Sequence, residues 1–339
     1  MLNELEKLSM LPGVSGREHA VRGYILSRIS ELADEITVDN TGSILALKRG
    51  ARESEHPLMI AAHMDEVGFI ITHICDDGLL KLAAVGGIDP RVVCGRTVLV
   101  GEARVPGVLG IEPIHLVSAD ARSKCPDIED MFIDIGASSR EEAEAIVTPG
   151  DVCVFDTAFE PFGDGLLKGK ALDDRAGCAV LIELMKQEYL TDVWFAFTAM
   201  EEVGLRGAGC AAFTIDPDYA IVVEATTAAD IAGVDEASQV CRVGEGAVIG
   251  FMDRRTIYDR ELFGRALELG REKGIKVQVK QAVAGGNDAG AIHTSRSGIR
   301  TLAVSLPCRY LHAPASVIAE ADMKSVYELV YELTVSLCM

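Results

Sequence analysis

The absences in this chain narrow its function before any motif is considered. No run of lysine and arginine occurs: 32 basic residues stand against 52 acidic ones, giving a formal net charge of -20. Nucleic acid and anionic membrane surfaces are both gripped by cationic faces, so neither is an expected partner. No apolar run approaches the ~20 residues that a membrane-spanning helix needs. The opening Met1-Leu2-Asn3-Glu4-Leu5-Glu6-Lys7 is an acidic amphipathic helix pattern, without the charge order of a signal peptide. The nine cysteines are odd in number and scattered, with no Cys-x-x-Cys spacing, which fits reduced thiols in the cytoplasm. Aromatic residues make up only 5% of the chain and include a single tryptophan, Trp194, leaving little surface for stacking sugars. A covalent nucleophile also lacks support: there is no Gly-x-Ser-x-Gly elbow, and no base is spaced to activate Cys178 or Cys308.

The apolar content, by contrast, is ample. A chain of 339 residues with 49% hydrophobic content can bury a main domain and a second, smaller one. Ser15 and Glu18 read as a capping box, opening a helix whose Val21, Tyr24, Ile25, Ile29 and Leu32 share a face. Asp39-Asn40-Thr41-Gly42 reads as a turn between short strands. The continuous apolar run from Leu58 to Ala62 then reads as a buried strand that delivers His63-Met64-Asp65-Glu66. Beyond Val67 the texture changes to short β-rich runs broken by Asp76-Asp77-Gly78, Gly86-Gly87 and Pro106-Gly107, with one helix opened by Ser139. From Leu172 strands and helices alternate again, ending in a helix that Asp322 is placed to cap. The expected fold is a three-layer α/β/α sandwich built from residues 1–66 and 157–339, interrupted over 67–156 by a small β-barrel-like insert.

The chemistry gathers at strand ends. His63 ends one apolar run, Asp173 follows another connection, and Glu201-Glu202 follow the run Val193-Trp194-Phe195-Ala196-Phe197. Glu224 ends the run from Tyr219, and His312 follows the run from Thr301. Each residue alone has a bland reading, as a structural histidine or a solvated acid. Together, imidazoles and carboxylates at the tips of buried strands suit Zn²⁺, Co²⁺ or Mn²⁺ at a catalytic site, and five ligands suffice for two ions if one carboxylate bridges. Glu201 and Glu202 cannot share one task, because adjacent side chains on an extended backbone point apart.

The segments Ala62 to Gly68, Lys170 to Gly177, Glu201 to Gly204, Gly285 to Ala291 and Arg309 to His312 resemble the M42 family of metallo-aminopeptidases, the tetrahedral aminopeptidase group. The resemblance extends over essentially the whole chain, including Phe132 to Ala137 of the insert. It implies a zinc-peptidase-like sandwich with two divalent metal ions per subunit. His63, Asp173 and Glu224 would hold one ion, and Asp173, Glu202 and His312 the other, with Asp173 bridging. Glu201 would be the general base acting on a metal-bridged hydroxide, and Asp65 would orient His63. A cis Asp173–Asp174 peptide is implied as well. Glu224 stands where many relatives carry Asp, and Asn287 where Thr is frequent. The implied substrates are short peptides, cleaved at the N-terminal residue. The implied assembly is a homo-oligomer, with the insert making dimers and the dimers a tetrahedral dodecamer. Two other classes compete. One is a glycoside hydrolase of the endoglucanase type, a label some relatives have carried and one that paired carboxylates would suit; the other is a non-catalytic assembly scaffold.

Overall fold

The apolar runs become the middle of a mixed eight-stranded sheet in a computed structural model that describes residues 1–338, with only the backbone of Ala121. The strand order is Glu35–Val38, Ile44–Lys48, Val193–Thr198, Leu58–His63, Tyr219–Thr227, Arg300–Cys308, Ala247–Ile249 and Val277–Val279. The four inner strands from Val193–Thr198 to Arg300–Cys308 are parallel, and Leu58–His63 is buried along its whole length. Parallel strands covered on both faces require such uninterrupted apolar sequence. Helices Leu172–Leu184 and Glu320–Leu337 cover one face of the sheet, and Arg206–Ile215 with the short Ala289–Ile292 cover the other, completing the three layers.

A closed six-stranded antiparallel barrel lies between the strands Leu58–His63 and Leu166–Gly169. In order around the wall its strands are Gly68–Ile74, Leu80–Val85, Phe132–Asp134, Val105–Gly110, Thr97–Val100 and Val152–Phe155. Its interior is a separate apolar cluster that includes Phe69, Leu80, Val98, Leu109, Ile133 and Phe155. Closure removes the open edges that short strands of this kind would otherwise expose.

Two expected helix caps fail because a distant partner takes the side chain, and one strand runs longer than expected. The helix His19–Ile29 starts after Glu18 with no side-chain cap; the Ser15 hydroxyl donates instead to Asp65 (2.6 Å), and the Glu18 carboxylate accepts from the amides of Gly16 (2.7 Å) and Met200 (3.2 Å). Asp322 lies inside the last helix and accepts from the amides of Gly244 (2.6 Å) and Gly246 (2.7 Å), closing a loop of the sheet rather than a helix end. Glu224 does not end its strand, which runs on to Thr227.

A small sheet was not legible in the sequence. Leu166–Gly169 pairs antiparallel with Ser316–Ala319 and with Glu160–Pro161, setting Gly169 opposite Ser316. The first of these strands leads into Asp173, and His312 lies four residues before Ser316. The pairing therefore sets the approach of two segments that are distant along the chain.

Candidate metal centre

The inner parallel strands end on one side of the sheet, where α/β proteins keep their ligands. Register aligns Thr198 with His63, which puts Glu201 and Glu202 just past the tip that carries the first imidazole. Asp173 enters at the start of its helix through a cis peptide to Asp174.

The resulting geometry divides one carboxylate between two imidazoles. Nε2 of His63 is 3.2 Å from Asp173 Oδ1 and 3.4 Å from Glu224 Oε1. Nε2 of His312 is 3.3 Å from Asp173 Oδ2 and 3.2 Å from Glu202 Oε2. Each Asp173 oxygen thus belongs to its own His–Asp–Glu triplet. His63, Asp173 and Glu202 also present ligand atoms within 4.8 Å of one another, as do His63, Asp174 and Glu224. Asp174 was named from sequence only for its peptide bond; its adjacency to Asp173 was the available signal.

The donor set fits a cation on two observations. Glu224 Oε2 and Asp174 Oδ2 are buried and have no hydrogen-bond donor among the described residues, an arrangement that is costly unless a positive charge answers it. The electrostatics are strained in the same sense. Burial, and then the charge of Asp173, push Glu202 up to about 8. Burial likewise raises Glu224 and Asp174 well above the usual carboxylate range. Burial disfavours the charged form of His312, but hydrogen bonding to Asp173, the charges of Glu202 and Asp173 and the Gly87 carbonyl together outweigh it and lift the imidazole to about 9. Carboxylates packed this closely cannot all ionise without added positive charge. Nitrogen and oxygen ligands without thiolate suit Zn²⁺, Co²⁺ or Mn²⁺.

Asp65 does more than face its neighbouring imidazole. Nδ1 of His63 lies 3.2 Å from the Asp65 main-chain oxygen and 3.4 Å from Oδ1. The same fully buried carboxylate accepts from the amides of Glu201 (3.0 Å) and Glu202 (3.1 Å) and from the Ser15 hydroxyl (2.6 Å). It therefore fixes one imidazole and the backbone of both glutamates. Behind it, buried Glu66 accepts from Lys170 (2.8 Å) and Arg175 (3.2 Å), joining the His63 and Asp173 segments. Gly177 permits this packing: a Cβ there would lie 2.4 Å from Asp174 Oδ2.

Left-handed backbone at non-glycine residues is frequent here, at Ala171, Met200 and His312. Each such residue costs on the order of 1 kcal/mol or more and persists only where its surroundings enforce it.

Glu201 differs from its neighbour. Its carboxylate has no protein hydrogen-bond partner among the described residues, and burial raises its pKa well above the usual range. It faces a cavity of about 450 Å³, lined also by Asp173, Glu202, Glu224 and His312. The cavity wall carries Arg254, Arg255 and Lys280, none of them ion-paired among the described residues. Lys280 donates to the Ala284 carbonyl (2.8 Å), and the Arg255 stem lies where a Cβ on Gly286 would stand, 2.5 Å from Arg255 Cγ. Gly286, and Gly290, whose Cβ would lie 2.7 Å from Arg255 Cβ, thus leave room for arginine.

Comparison with known proteins gives one consistent result. The family model described as M42 glutamyl aminopeptidase matches residues 42–329. A protein of Acetivibrio thermocellus, named as a candidate aminopeptidase, is 38% identical over 98% of this chain and 98% of its own length. A lysyl aminopeptidase of Pyrococcus furiosus is 31% identical over 96% of this chain and 94% of its own. Among solved structures, the TET1 peptidase of Pyrococcus horikoshii, which can assemble into a tetrahedron or a large octahedral shell, superposes with a TM-score of 0.86 at 34% identity, covering 98% of both chains.

Proposed function

This chain belongs to the M42 glutamyl aminopeptidase family and is a peptidase hydrolase, and on that premise we propose that it removes the N-terminal residue from short peptides with two divalent ions per subunit. The observation that carries the reading is the division of the two Asp173 oxygens between His63 and His312. His63, Asp173 and Glu224 would hold one ion, and Asp173, Glu202 and His312 the other. Bound there, Zn²⁺, Co²⁺ or Mn²⁺ would polarise the scissile carbonyl and acidify the attacking water.

The remaining work falls to the protein. Glu201 takes the proton of the attacking water and returns one to the leaving amine. Its raised pKa and its lack of a protein partner suit a group that must accept and release a proton at neutral pH. Asp65 holds the backbone from which Glu201 projects, and it steadies the His63 ring. The cavity receives the first side chain, and the unpaired Arg254, Arg255 and Lys280 favour an acidic residue over a basic one there.

The protein works in the cytoplasm as a homo-oligomer. The barrel supplies the dimer contact, and the dimers build a shell such as the tetrahedral dodecamer, a reading supported by the assemblies of the Pyrococcus horikoshii relative. Its strong negative charge gives no grip on nucleic acid or membrane, and no helix among the described residues is long and apolar enough to cross a bilayer.

Aminoacyl chromophores tested alongside metal analysis decide the reading. Glu201→Gln should lower kcat by about 10²- to 10⁴-fold while metal content stays near wild type. Loss of metal in that variant would make Glu201 a ligand instead. Glucanase activity that survives a chelator would favour the glycosidase, and a metal-loaded chain inert toward every aminoacyl substrate would favour the scaffold.

A further inference from the structure

The Glu201 carboxylate has no protein hydrogen-bond partner among the described residues, so its position is inherited from its backbone. That backbone is held from the far end of the chain. The segment Gly13-Val14-Ser15-Gly16-Arg17-Glu18 lies against the strand tip, and Glu18, only 2% exposed, accepts the Met200 amide at 3.2 Å. Met200 has a left-handed φ of 57°, a conformation that needs such an anchor, and it immediately precedes Glu201. Ser15 donates at 2.6 Å to the same Asp65 oxygen that accepts the Glu202 amide, while the other Asp65 oxygen accepts the Glu201 amide.

The segment is itself rigidly seated. Gly13 donates to Glu66 Oε1 at 3.0 Å, and the Glu66 amide donates back to the Gly13 carbonyl at 2.9 Å. Lys170 and Arg175 both donate to the Leu11 carbonyl, at 2.9 and 3.2 Å. A Cβ on Gly13 would lie 2.5 Å from Arg175 Nη2, so the chain can approach this closely only with glycine there.

We propose that Ser15 and Glu18 are positioning residues for the catalytic step: from the N-terminal segment they fix the Met200–Glu202 backbone and thereby aim the Glu201 carboxylate. Neither touches the substrate, and neither binds metal. The inference rests on Glu201 being the base. A helix cap is excluded as their common purpose, because neither side chain caps the helix that follows.

The test uses the full-length, metal-loaded enzyme in its native assembly. Ser15→Ala, Ser15→Thr, Glu18→Ala and Glu18→Gln are compared for kcat, KM, metal content and Tm on one aminoacyl chromophore. Displacing a catalytic group by about 1 Å can cost ~10²-fold in rate. Glu18→Ala should therefore lower kcat by about 10- to 100-fold with KM within about twofold and metal content unchanged. Glu18→Gln keeps an acceptor oxygen for the Met200 amide and should recover most of that loss. Ser15→Ala should show the same split with a smaller loss, and Ser15→Thr should restore it. If Glu18→Ala does not fold, the two Ser15 variants and Glu18→Gln carry the test alone. Unchanged kcat in Ser15→Ala and Glu18→Ala would overturn the proposal, as would losses that track only Tm or metal content. Glu201→Gln is measured in parallel: if that variant retains full activity, the base assignment itself has failed, whereas an inactive Glu201→Gln beside fully active Ser15 and Glu18 variants sinks the positioning role alone.

Discussion

The main-chain oxygen of Gly87, at the edge of the barrel, lies 2.9 Å from Nδ1 of His312, whose other ring nitrogen faces Asp173 and Glu202. One candidate ligand of the proposed centre is thus steadied by a residue of the inserted unit. Gly86 sets the direction of that carbonyl with a φ of 84°, and a Cβ there would lie 2.8 Å from Val67 Cγ1 and 3.4 Å from Glu202 Cβ. Gly86→Ala should weaken the ion held by His312 by about 10- to 100-fold while sparing the one held by His63. Titration of metal-free protein with Co²⁺, followed by its visible spectrum, should then resolve two affinities where wild type is tighter. Equal weakening of both ions would remove the special tie between barrel and His312.

Asp173 gives one oxygen to each triplet, so its loss should not be confined to one ion. Asp173→Ala is expected to bind neither ion and to have no measurable turnover, whereas Glu202→Gln should keep the ion held by His63 and Glu224. Elemental analysis of both variants checks this. A fully metallated, active Asp173→Ala would end the bridging assignment.

The close fit of Gly177 against Asp174 predicts a structural cost. Gly177→Ala should destabilise the fold by about 1–3 kcal/mol, as overpacking of a buried site generally does. The Asp174 carboxylate, which accepts from the Gly177 amide at 3.0 Å, must shift to make room, so metal affinity should fall as well. Denaturant unfolding with and without metal measures both; wild-type stability would mean that the site relaxes freely.

Metal loading should release protons. Burial pushes Glu202 up to about 8, and the surrounding carboxylates lift His312 to about 9 despite burial, so without metal both are largely protonated at pH 7, while ligands must be deprotonated to bind. The sign follows: affinity falls as pH drops below about 9, and at pH 7 at least one proton per chain leaves when Zn²⁺ binds. Above pH 9 the release should shrink. An indicator dye in weak buffer reads it directly, and binding without proton release at pH 7 would contradict the crowding of these groups.

The parts of this protein written in the sequence are those that depend on local period and chemistry. Buried parallel strands need continuous apolar runs, so Leu58–His63 and Val193–Thr198 were legible, as was the change of texture that marks the barrel. The candidate metal ligands were visible because imidazoles and carboxylates stood at or near the ends of those runs. Their pairing came from the family resemblance alone, since no local rule places Asp173 between His63 and His312, which are far from it along the chain. That was decided by the parallel register of the inner strands and by the small sheet joining Gly169 to Ser316. The same limit explains Ser15, Glu18 and Asp322. Each matched a helix cap by spacing, but a side chain bonds to whatever donor or acceptor the fold brings nearest, and here those partners lay 50, 182 and 78 residues away. Sequence determined which groups this chain possesses and on which elements they ride; only the tertiary structure decided which of them meet, because hydrogen bonds and charges act over a few ångströms of space whatever the distance along the chain.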